Sequence, residues 1–342
     1  MSTSKPRTLV LGSGAWGTAL ALTLVRNGAS NVSLWGRNEN TMSEIGRRRV
    51  NTQYLPGIIL PDELEIISGE NVAPDADIVV AATPFQTLRP VIEKILPLVS
   101  QVRCIVCAAK GLETETFLRA DQIVTEIVPN GVEFAMLSGP NFAIEVAEDR
   151  PAATTIATHS DEWGEELVRR FHSDSFRPYS SRDVTGVSIG GALKNVIAIA
   201  AGIADGLDLG ANSRAALVTR GLAEITRFGT AQGGQLETFM GLSGLGDLVL
   251  TCTDNKSRNR RFGLHLANGL DASQARREVG LVEGVTTVSA VLQFAEQQGL
   301  DLPISREIAN TLRGETTPRQ AVRNLLARDP VAESAGSVSP HN

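Results

Sequence analysis

A glycine triplet, set between a strand-like run and a helix-like run, constrains this chain more than any other feature. A short apolar run leads into Gly12-x-Gly14-x-x-Gly17, and an alanine- and leucine-rich segment follows at once. Gly12 permits a tight turn, Gly14 lets the backbone approach a pyrophosphate, and Gly17 lets the helix pack closely on the strand. The free N–H groups at the helix start then face the phosphates. The pattern predicts a dinucleotide-binding βαβ unit, and an ordinary βα turn is the plain alternative.

Composition limits the class of protein. The chain has 342 residues, enough for two domains, and its 42% hydrophobic and 20% charged residues are typical of a soluble protein. The net charge of -6 argues against a general nucleic-acid binder, because duplex binding needs a strong basic surface. The first residues do not have the pattern of a signal peptide, and no apolar run reaches the roughly 18 residues of a membrane span. We therefore expect a cytoplasmic protein without stable membrane insertion.

The cysteines predict neither a metal site nor a redox pair. Cys104 and Cys107 lie in an apolar, strand-like run, and residues three apart on a strand point to opposite faces. The chain has no second cysteine pair that could complete a zinc site. We expect buried core cysteines, no bound metal and a reducing compartment.

Strand-like and helix-like runs alternate until about residue 184, which predicts an α/β fold with a largely parallel, doubly wound Rossmann-type sheet. Beyond that point strand signals vanish, which predicts an all-α C-terminal domain. We expect a dinucleotide-binding domain over residues 1–185, a helical substrate and catalytic domain over 186–328 and a disordered tail over 329–342. Ligands bind such sheets beyond the carboxyl ends of the strands. The residues expected there are Arg37, Thr83, Pro84, Lys110 and 138–141.

Arg37 bears on the choice of cofactor. It follows the second predicted strand, where an NAD-binding fold usually places a carboxylate on the ribose 2′-OH. A guanidinium at this position matches a 2′-phosphate in charge and geometry. The sequence therefore favours NADP(H), with NAD(H) possible, unless Arg37 is only a solvated loop residue.

Lys194 lies in a predicted helix that is apolar on every side, over residues 187–204. Such a helix is buried, and a buried ammonium is costly unless a carboxylate or a functional site accommodates it. Burial would lower the pKa of Lys194 towards the range useful for proton transfer. The plain alternatives are a structural Lys–Asp pair or a lysine that reaches solvent from the helix end. The neighbouring Gly190 and Gly191 would let another backbone or a flat cofactor come close.

Two further segments carry polar groups in the predicted second domain. A glycine-rich turn ends in Asp247, and Ser257, Arg258 and Asn259 precede a helical pattern. Hydroxyl, guanidinium and amide groups near a helix start are a plausible phosphate site. A solvated basic face is the alternative for the arginines.

Taken together, these segments resemble the bacterial NAD(P)-dependent sn-glycerol-3-phosphate dehydrogenases. The resemblance runs in order over residues 8–325. It implies reversible reduction of dihydroxyacetone phosphate to sn-glycerol 3-phosphate, a supply of phospholipid backbones, and a homodimer. The matching segments are Gly12–Ala19, Ala109–Glu113, Ser138–Ala143, Gly191–Val196, Gly244–Leu248, Ser257–Asn259 and Glu283–Val285.

The resemblance also implies roles for single residues. Lys194 matches the proton donor and acceptor, with Lys110 near both ligands and Asp247 orienting the lysine or a substrate hydroxyl. Many family members have Ser or Thr where this chain has Asn141, whose amide can still donate. Implied cofactor contacts, besides Gly12, Gly14 and Gly17, are Ala15, Trp16, Arg37, Lys110, Ala143, Arg258, Leu281 and Glu283. Implied substrate contacts are Lys110, Gly139, Asn141, Lys194, Asp247, Ser257, Arg258 and Asn259.

Two other functions stay open at this point. A β-hydroxyacid dehydrogenase has a similar architecture and a helix-borne lysine, but it acts on a carboxylate and does not need the cluster Ser257–Asn259. A non-catalytic NADPH-sensing regulator would not need a buried proton donor such as Lys194.

Overall fold

A computed structural model describes residues 7–29, 31–69, 75–129 and 131–329. The chain divides into two compact units. Unit 1 comprises the described residues up to Lys110 together with Ala120–Val184, and unit 2 comprises Gly111–Arg119 together with the chain from Thr185 onward. Of the tail predicted to be disordered, residues 330–342 lie outside the described residues.

Unit 1 contains an eight-stranded sheet. Its central strands are apolar and buried along their whole length, as expected where helices cover both faces. The strands are β1 (Thr8–Leu11), β2 (Val32–Gly36), β3 (Leu64–Ser68), β4 (Ile78–Ala81), β5 (Cys104–Cys107), β6 (Glu133–Ser138), β7 (Ala152–Thr158) and β8 (Phe176–Ser181).

The strand order is β3-β2-β1-β4-β5-β6-β7-β8. Neighbouring strands are parallel except for β6 and β7, which run antiparallel. Leu11 is level with Trp35 on one side and with Ala81 on the other, so β1, β2 and β4 end together at what we call the carboxyl edge. The predicted largely parallel, doubly wound sheet is confirmed, although β3 was not predicted.

The helices of unit 1 pack on this sheet through one apolar cluster that includes Val10, Leu20 and Val106. Helix α1 ends at Arg26, two residues before Gly28, which adopts a φ of +74°. The helices are α1 (Ala15–Arg26), α2 (Glu39–Arg48), α3 (Leu88–Ile95), α4 (Ala120–Ile127), α5 (Ala143–Ala147) and α6 (Asp161–Phe171).

In the described part of unit 2, every element of regular secondary structure is a helix, which confirms the predicted all-α region. A π-helical turn, Leu242–Gly246, precedes the helix that starts at Asp247. The helices are α7 (Val184–Gly206, whose first residue belongs to unit 1), α8 (Gly210–Ala231), α9 (Leu236–Met240), α10 (Asp247–Thr253), α11 (Arg258–Ala267), α12 (Ala272–Val279), α13 (Glu283–Gln297), α14 (Pro303–Arg313) and α15 (Pro318–Leu326).

Helix α7 forms the centre of the unit 2 core. Its length and composition would allow it to cross a membrane, but the apolar window that meets this criterion is fully buried inside the protein. Ile189, Val196 and Ile203 are among its members in the apolar cluster, and Leu112 from the segment Gly111–Arg119 belongs to the same cluster. A helix that is apolar on every side is thus accommodated by protein.

The three cysteines are buried and form no disulfide, which confirms the prediction of Cys104 and Cys107 as core residues. Burial raises the pKa of the Cys107 and Cys252 thiols to about 12, and it raises that of Cys104 further. Since the thiolate is the reactive form, these side chains are chemically inert near neutral pH.

Candidate functional site

The glycine loop of unit 1 has the geometry that its sequence predicted. Gly12 follows β1 with a φ of +112°, and its N–H donates to the Trp35 carbonyl at 2.9 Å. A Cβ on Gly12 would lie 2.7 Å from the Ala82 carbonyl oxygen, and one on Gly17 would collide with the Gly12 carbonyl. These two positions therefore exclude side chains, because strand, turn and helix approach one another closely.

The start of α1 is open on the side of Gly14. A Cβ placed on Gly14 would meet no described atom within 4 Å. Among the described residues, no side chain caps this helix start, and its first turn contains no acidic residue. Uncapped N–H groups and the positive end of the helix dipole favour an anion. The loop thus fits a dinucleotide pyrophosphate.

Asn51 is hydrogen-bonded to the glycine loop and to α1, a role that the sequence did not predict. The residue has no exposed surface, and its Nδ2 donates to the Ser13 carbonyl and to Thr18 Oγ1, each at 2.9 Å. It lies in a proline- and glycine-containing connection that gave no pattern signal.

Four further cofactor candidates of unit 1 are Arg37, Ala15, Trp16 and Ala143. Arg37 is exposed directly after β2, and the pairing of Leu11 with Trp35 places it at the carboxyl edge, beside the glycine loop. The part-buried Ala15, Trp16 and Ala143 pack on the apolar cluster of unit 1.

Lys110 and the turn after β6 come together in unit 1. Lys110 Nζ donates to the Gly139 carbonyl at 3.3 Å, and Asn141 N–H donates to the same carbonyl at 2.9 Å. Asn141 Nδ2 donates to the Ala153 carbonyl at 2.8 Å, and its Oδ1 is buried without a partner among the described residues. One amide hydrogen of Asn141 is therefore used within the unit, which leaves less of this side chain for a substrate than the resemblance implied.

In unit 2, Lys194 is buried in α7 and is compensated by two side chains of α10. Its Nζ forms an ion pair with the Asp247 carboxylate and donates to Thr251 Oγ1 at 2.8 Å. Thr251 Oγ1 in turn donates to the Asp247 carbonyl at 2.6 Å. Thr251 was not predicted from the sequence, although its place one helical turn after Asp247 was a usable signal.

The π-helical turn brings Asp247 to α7. A Cβ on Gly190 would lie 2.7 Å from the Ser243 carbonyl oxygen, so the turn packs directly on the α7 backbone one turn before Lys194. The close partner of Gly190 is therefore another backbone, one of the two partners expected from the sequence. Single π-turns often occur at functional sites.

The start of α11 holds the predicted phosphate-binding residues. Ser257 is the N-cap and accepts from the Arg260 N–H at 3.2 Å, whereas Arg258 is exposed. Arg260 is itself buried and pairs with Asp205 at 2.6 Å, which anchors the start of α11 to the end of α7.

Asn259 links three helices of unit 2. Its Nδ2 donates to Asn195 Oδ1 at 2.9 Å, and its Oδ1 accepts from the Gly284 N–H at 3.0 Å. These two hydrogen bonds hold the start of α13 against α7 and α11. Of the two cofactor candidates there, Glu283 is part-buried in the first turn of α13, and Leu281 is exposed just before it. The sequence predicted neither these hydrogen bonds nor the part of Asn195 in them.

Sequence comparison identifies the family. The family model of the NAD-dependent glycerol-3-phosphate dehydrogenase N-terminus matches residues 8–164, and that of its C-terminus matches residues 183–323. The chain belongs to the NAD-dependent glycerol-3-phosphate dehydrogenase family. The resemblance and the fold class expected from the sequence are thereby confirmed, and the β-hydroxyacid dehydrogenase alternative is set aside.

Individual members of this family match over nearly their whole length. A glycerol-3-phosphate dehydrogenase [NAD(P)+] of Herminiimonas arsenicoxydans is 47% identical over 332 residues, which cover 95% of this chain and 99% of the relative. One of Halorhodospira halophila is 45% identical over 326 residues, with 95% and 97% covered. The crystal structure of glycerol-3-phosphate dehydrogenase from Coxiella burnetii superposes with a TM-score of 0.89 at 39% identity and covers 95% of this chain and 99% of that one.

Proposed function

We propose that this chain catalyses the reversible NAD(P)H-dependent reduction of dihydroxyacetone phosphate to sn-glycerol 3-phosphate. The observation that carries the proposal is the buried group of Lys194, Asp247 and Thr251 in a chain that belongs to this dehydrogenase family. A cofactor sensor would have no use for a buried ammonium held by two fixed partners.

In the proposed reaction, Lys194 supplies the proton. When bound, NAD(P)H would provide the hydride that the carbonyl carbon accepts. Lys194 Nζ would donate a proton to the carbonyl oxygen, which becomes the hydroxyl of the product. Asp247 and Thr251 hold Nζ in a fixed direction. The charge of Lys110 favours the alkoxide that develops as the hydride arrives.

We propose substrate-binding roles for two sets of residues. In unit 1 they are the turn at Gly139 and Asn141 and the ammonium of Lys110. In unit 2 they are the start of α11, where Ser257, Arg258 and Asn259 offer hydroxyl, guanidinium and amide donors to a phosphate. For the cofactor, we propose the glycine loop with Ala15, Trp16, Arg37 and Ala143, together with Lys110, Arg258, Leu281 and Glu283. The guanidinium of Arg37 supports a preference for NADP(H) over NAD(H).

We extend the proposal to the organisation and setting of the protein. Unit 1 would act as the dinucleotide-binding domain predicted over residues 1–185, and unit 2, which includes Gly111–Arg119, as the catalytic domain predicted over 186–328. A cytoplasmic homodimer that supplies glycerophospholipid synthesis is consistent with the family, and the free, buried cysteines suit a reducing compartment.

The test follows the loss of absorbance of the reduced nicotinamide when dihydroxyacetone phosphate is added, with NADPH and NADH in parallel assays. We expect turnover with both cofactors and a higher kcat/KM with NADPH. An Arg37→Ala variant should lose affinity for NADPH but not for NADH. Oxidation of a 3-hydroxy acid without turnover of the triose phosphate would refute the proposal.

A further inference from the structure

Asn51 donates both of its amide hydrogens, one to the glycine loop and one to the helix that follows it. One bond goes to the Ser13 carbonyl, inside the loop, and the other to Thr18 Oγ1, in the first turns of α1, each at 2.9 Å. No surface of Asn51 is exposed, and Thr18 is equally buried. These contacts are therefore shielded from competing water.

Asn51 Oδ1 is buried and has no hydrogen-bond partner among the described residues. An unpaired buried carbonyl oxygen destabilises the fold, and an apolar side chain of similar size would avoid this cost. Packing alone would therefore favour an apolar residue at position 51. The asparagine is explained by its two donor bonds, which hold the glycine loop against α1.

Asn51 is itself held firmly in place. Its backbone carbonyl accepts from the Leu55 N–H at 2.8 Å and from the Tyr54 N–H at 3.3 Å. Val50, directly before Asn51, forms an isolated antiparallel bridge with Ile59. The side chain therefore projects from a rigid connection and can fix the loop that it touches.

Because the peptide group is planar, the contact with Asn51 also determines where the Gly14 N–H points. In a trans peptide, the Ser13 C=O and the Gly14 N–H point to opposite sides. Because the carbonyl is bonded to Asn51, the Gly14 N–H points away from Asn51, and a Cβ added to Gly14 would have no described atom within 4 Å. An N–H that points away from Asn51 at the open start of a helix is available as a donor to a phosphate oxygen.

We propose that Asn51 is a positioning residue for the dinucleotide. It does not touch the cofactor; it turns the Ser13–Gly14 peptide so that the Gly14 N–H is presented to the pyrophosphate. This inference rests on the proposed function only in taking NADPH as the dinucleotide.

The test measures the Kd for NADPH by isothermal titration calorimetry, alongside KM and kcat for the reduction of dihydroxyacetone phosphate. We expect Asn51→Ala to raise the Kd and the KM for NADPH about tenfold, the loss of one net hydrogen bond to a charged group. The kcat at saturating NADPH and the KM for the triose phosphate should stay within about twofold of wild type. Thr18→Val, which removes one of the two acceptors, should raise the Kd by a smaller factor.

Asn27 offers a matched control at the other end of α1. Its Nδ2 also donates to two oxygens, the carbonyls of Arg169 at 3.0 Å and Arg170 at 2.7 Å. Asn27→Ala should lower the unfolding temperature and leave the Kd for NADPH unchanged.

A folded Asn51→Ala protein with the wild-type Kd would overturn the proposal, as would an equal rise of the Kd in Asn27→Ala. If Asn51→Ala does not fold, Thr18→Val decides, and a wild-type Kd in that variant counts against the proposal. A wild-type protein that binds NADPH but does not reduce dihydroxyacetone phosphate would refute the proposed function alone, because the calorimetric comparison of variants still applies.

Discussion

Lys194 brings a positive charge into the interior of unit 2, where an uncompensated ion would cost several kcal/mol. The structure compensates it with the Asp247 carboxylate and the Thr251 hydroxyl. The Lys–Asp pair that the sequence offered as an alternative is therefore present, and the same two partners hold the ammonium in a fixed direction. A proton donor with a fixed direction is what the proposed reaction needs.

Truncation of the lysine should separate chemistry from cofactor binding. We expect Lys194→Ala to lower kcat for dihydroxyacetone phosphate by about 100- to 10,000-fold, the usual contribution of a general acid, with an unchanged Kd for NADPH. Thr251→Val, which keeps the shape and removes the acceptor, should lower kcat by about tenfold. Lys256→Ala is the control, because this half-exposed lysine pairs locally with Asp254. Stopped-flow absorbance and calorimetry measure both quantities, and near-normal turnover of Lys194→Ala would refute the role of the lysine.

Single residues could be predicted from the sequence where a pattern made them conspicuous. Lys194 stood out because nearly every neighbour in its helix was apolar, and Asp247 because a glycine-rich turn ended in it. Asn51 and Asn195 gave no such signal, since their partners are distant in sequence and an amide in a loop or helix is ordinary. Long-range hydrogen bonds between side chains are decided by tertiary packing, which local patterns do not contain.

At the scale of elements, the alignment of α7 with the π-helical turn determines how Asp247 meets Lys194. The turn contacts the α7 backbone at Gly190, where no side chain intervenes. A shift of this contact would move Asp247, because α10 starts directly after the turn.

A methyl group at Gly190 tests this alignment. Gly190→Ala would place a Cβ 2.7 Å from the Ser243 carbonyl oxygen, so we expect a loss of about 1–3 kcal/mol in the free energy of unfolding and a lower kcat. Gly46→Ala in α2 is the control, since its Cβ would meet Ile66 at an ordinary 3.8 Å, and a gain of roughly 0.5–1 kcal/mol is expected there. Urea denaturation measures both changes. Equal stability of the two variants would contradict the proposed alignment.

Most strands were predictable, and the exceptions have physical causes. β1, β4 and β5 are continuous apolar runs, the mark of strands buried on both faces. β3 escaped prediction because it is a short edge strand with one buried residue, Leu64. The reversal of β7 was also not predicted, because pairing within the sheet decides the direction of a strand and the hydrophobic pattern does not.

For the molecule as a whole, Glu224 makes stability depend on pH. This buried carboxyl group of α8 accepts from the N–H groups of Ile304 at 2.5 Å and Ser305 at 3.1 Å, at the start of α14. Burial raises its pKa from 4.5 to about 7, against the opposing effect of these hydrogen bonds. The folded protein therefore binds a proton at Glu224 more tightly than the unfolded chain does.

The sign of the effect follows from the direction of the shift. Because the folded pKa is the higher one, the contribution of Glu224 is complete below pH 4.5 and is lost as the pH rises to about 7. Between these two pH values, the free energy of unfolding of the wild type should fall by up to about 3 kcal/mol relative to that of Glu224→Gln, whose side chain does not titrate. Urea denaturation of both proteins at pH 5 and pH 7.5 measures this difference. A difference that stays constant with pH would contradict the raised pKa.

Because of the segment Gly111–Arg119, neither unit is encoded by one continuous stretch of the gene. Because Leu112 belongs to the unit 2 core while the chain on both sides of the segment belongs to unit 1, no single cut in the chain separates the units. A gene fragment that starts at residue 185 would encode unit 2 without Leu112 and so with a cavity in its core. The complementary fragment would contain the segment Gly111–Arg119 without the unit 2 residues that Leu112 packs against. Exchange of catalytic halves between homologues, by recombination or by design, must therefore transfer two separate stretches of sequence together.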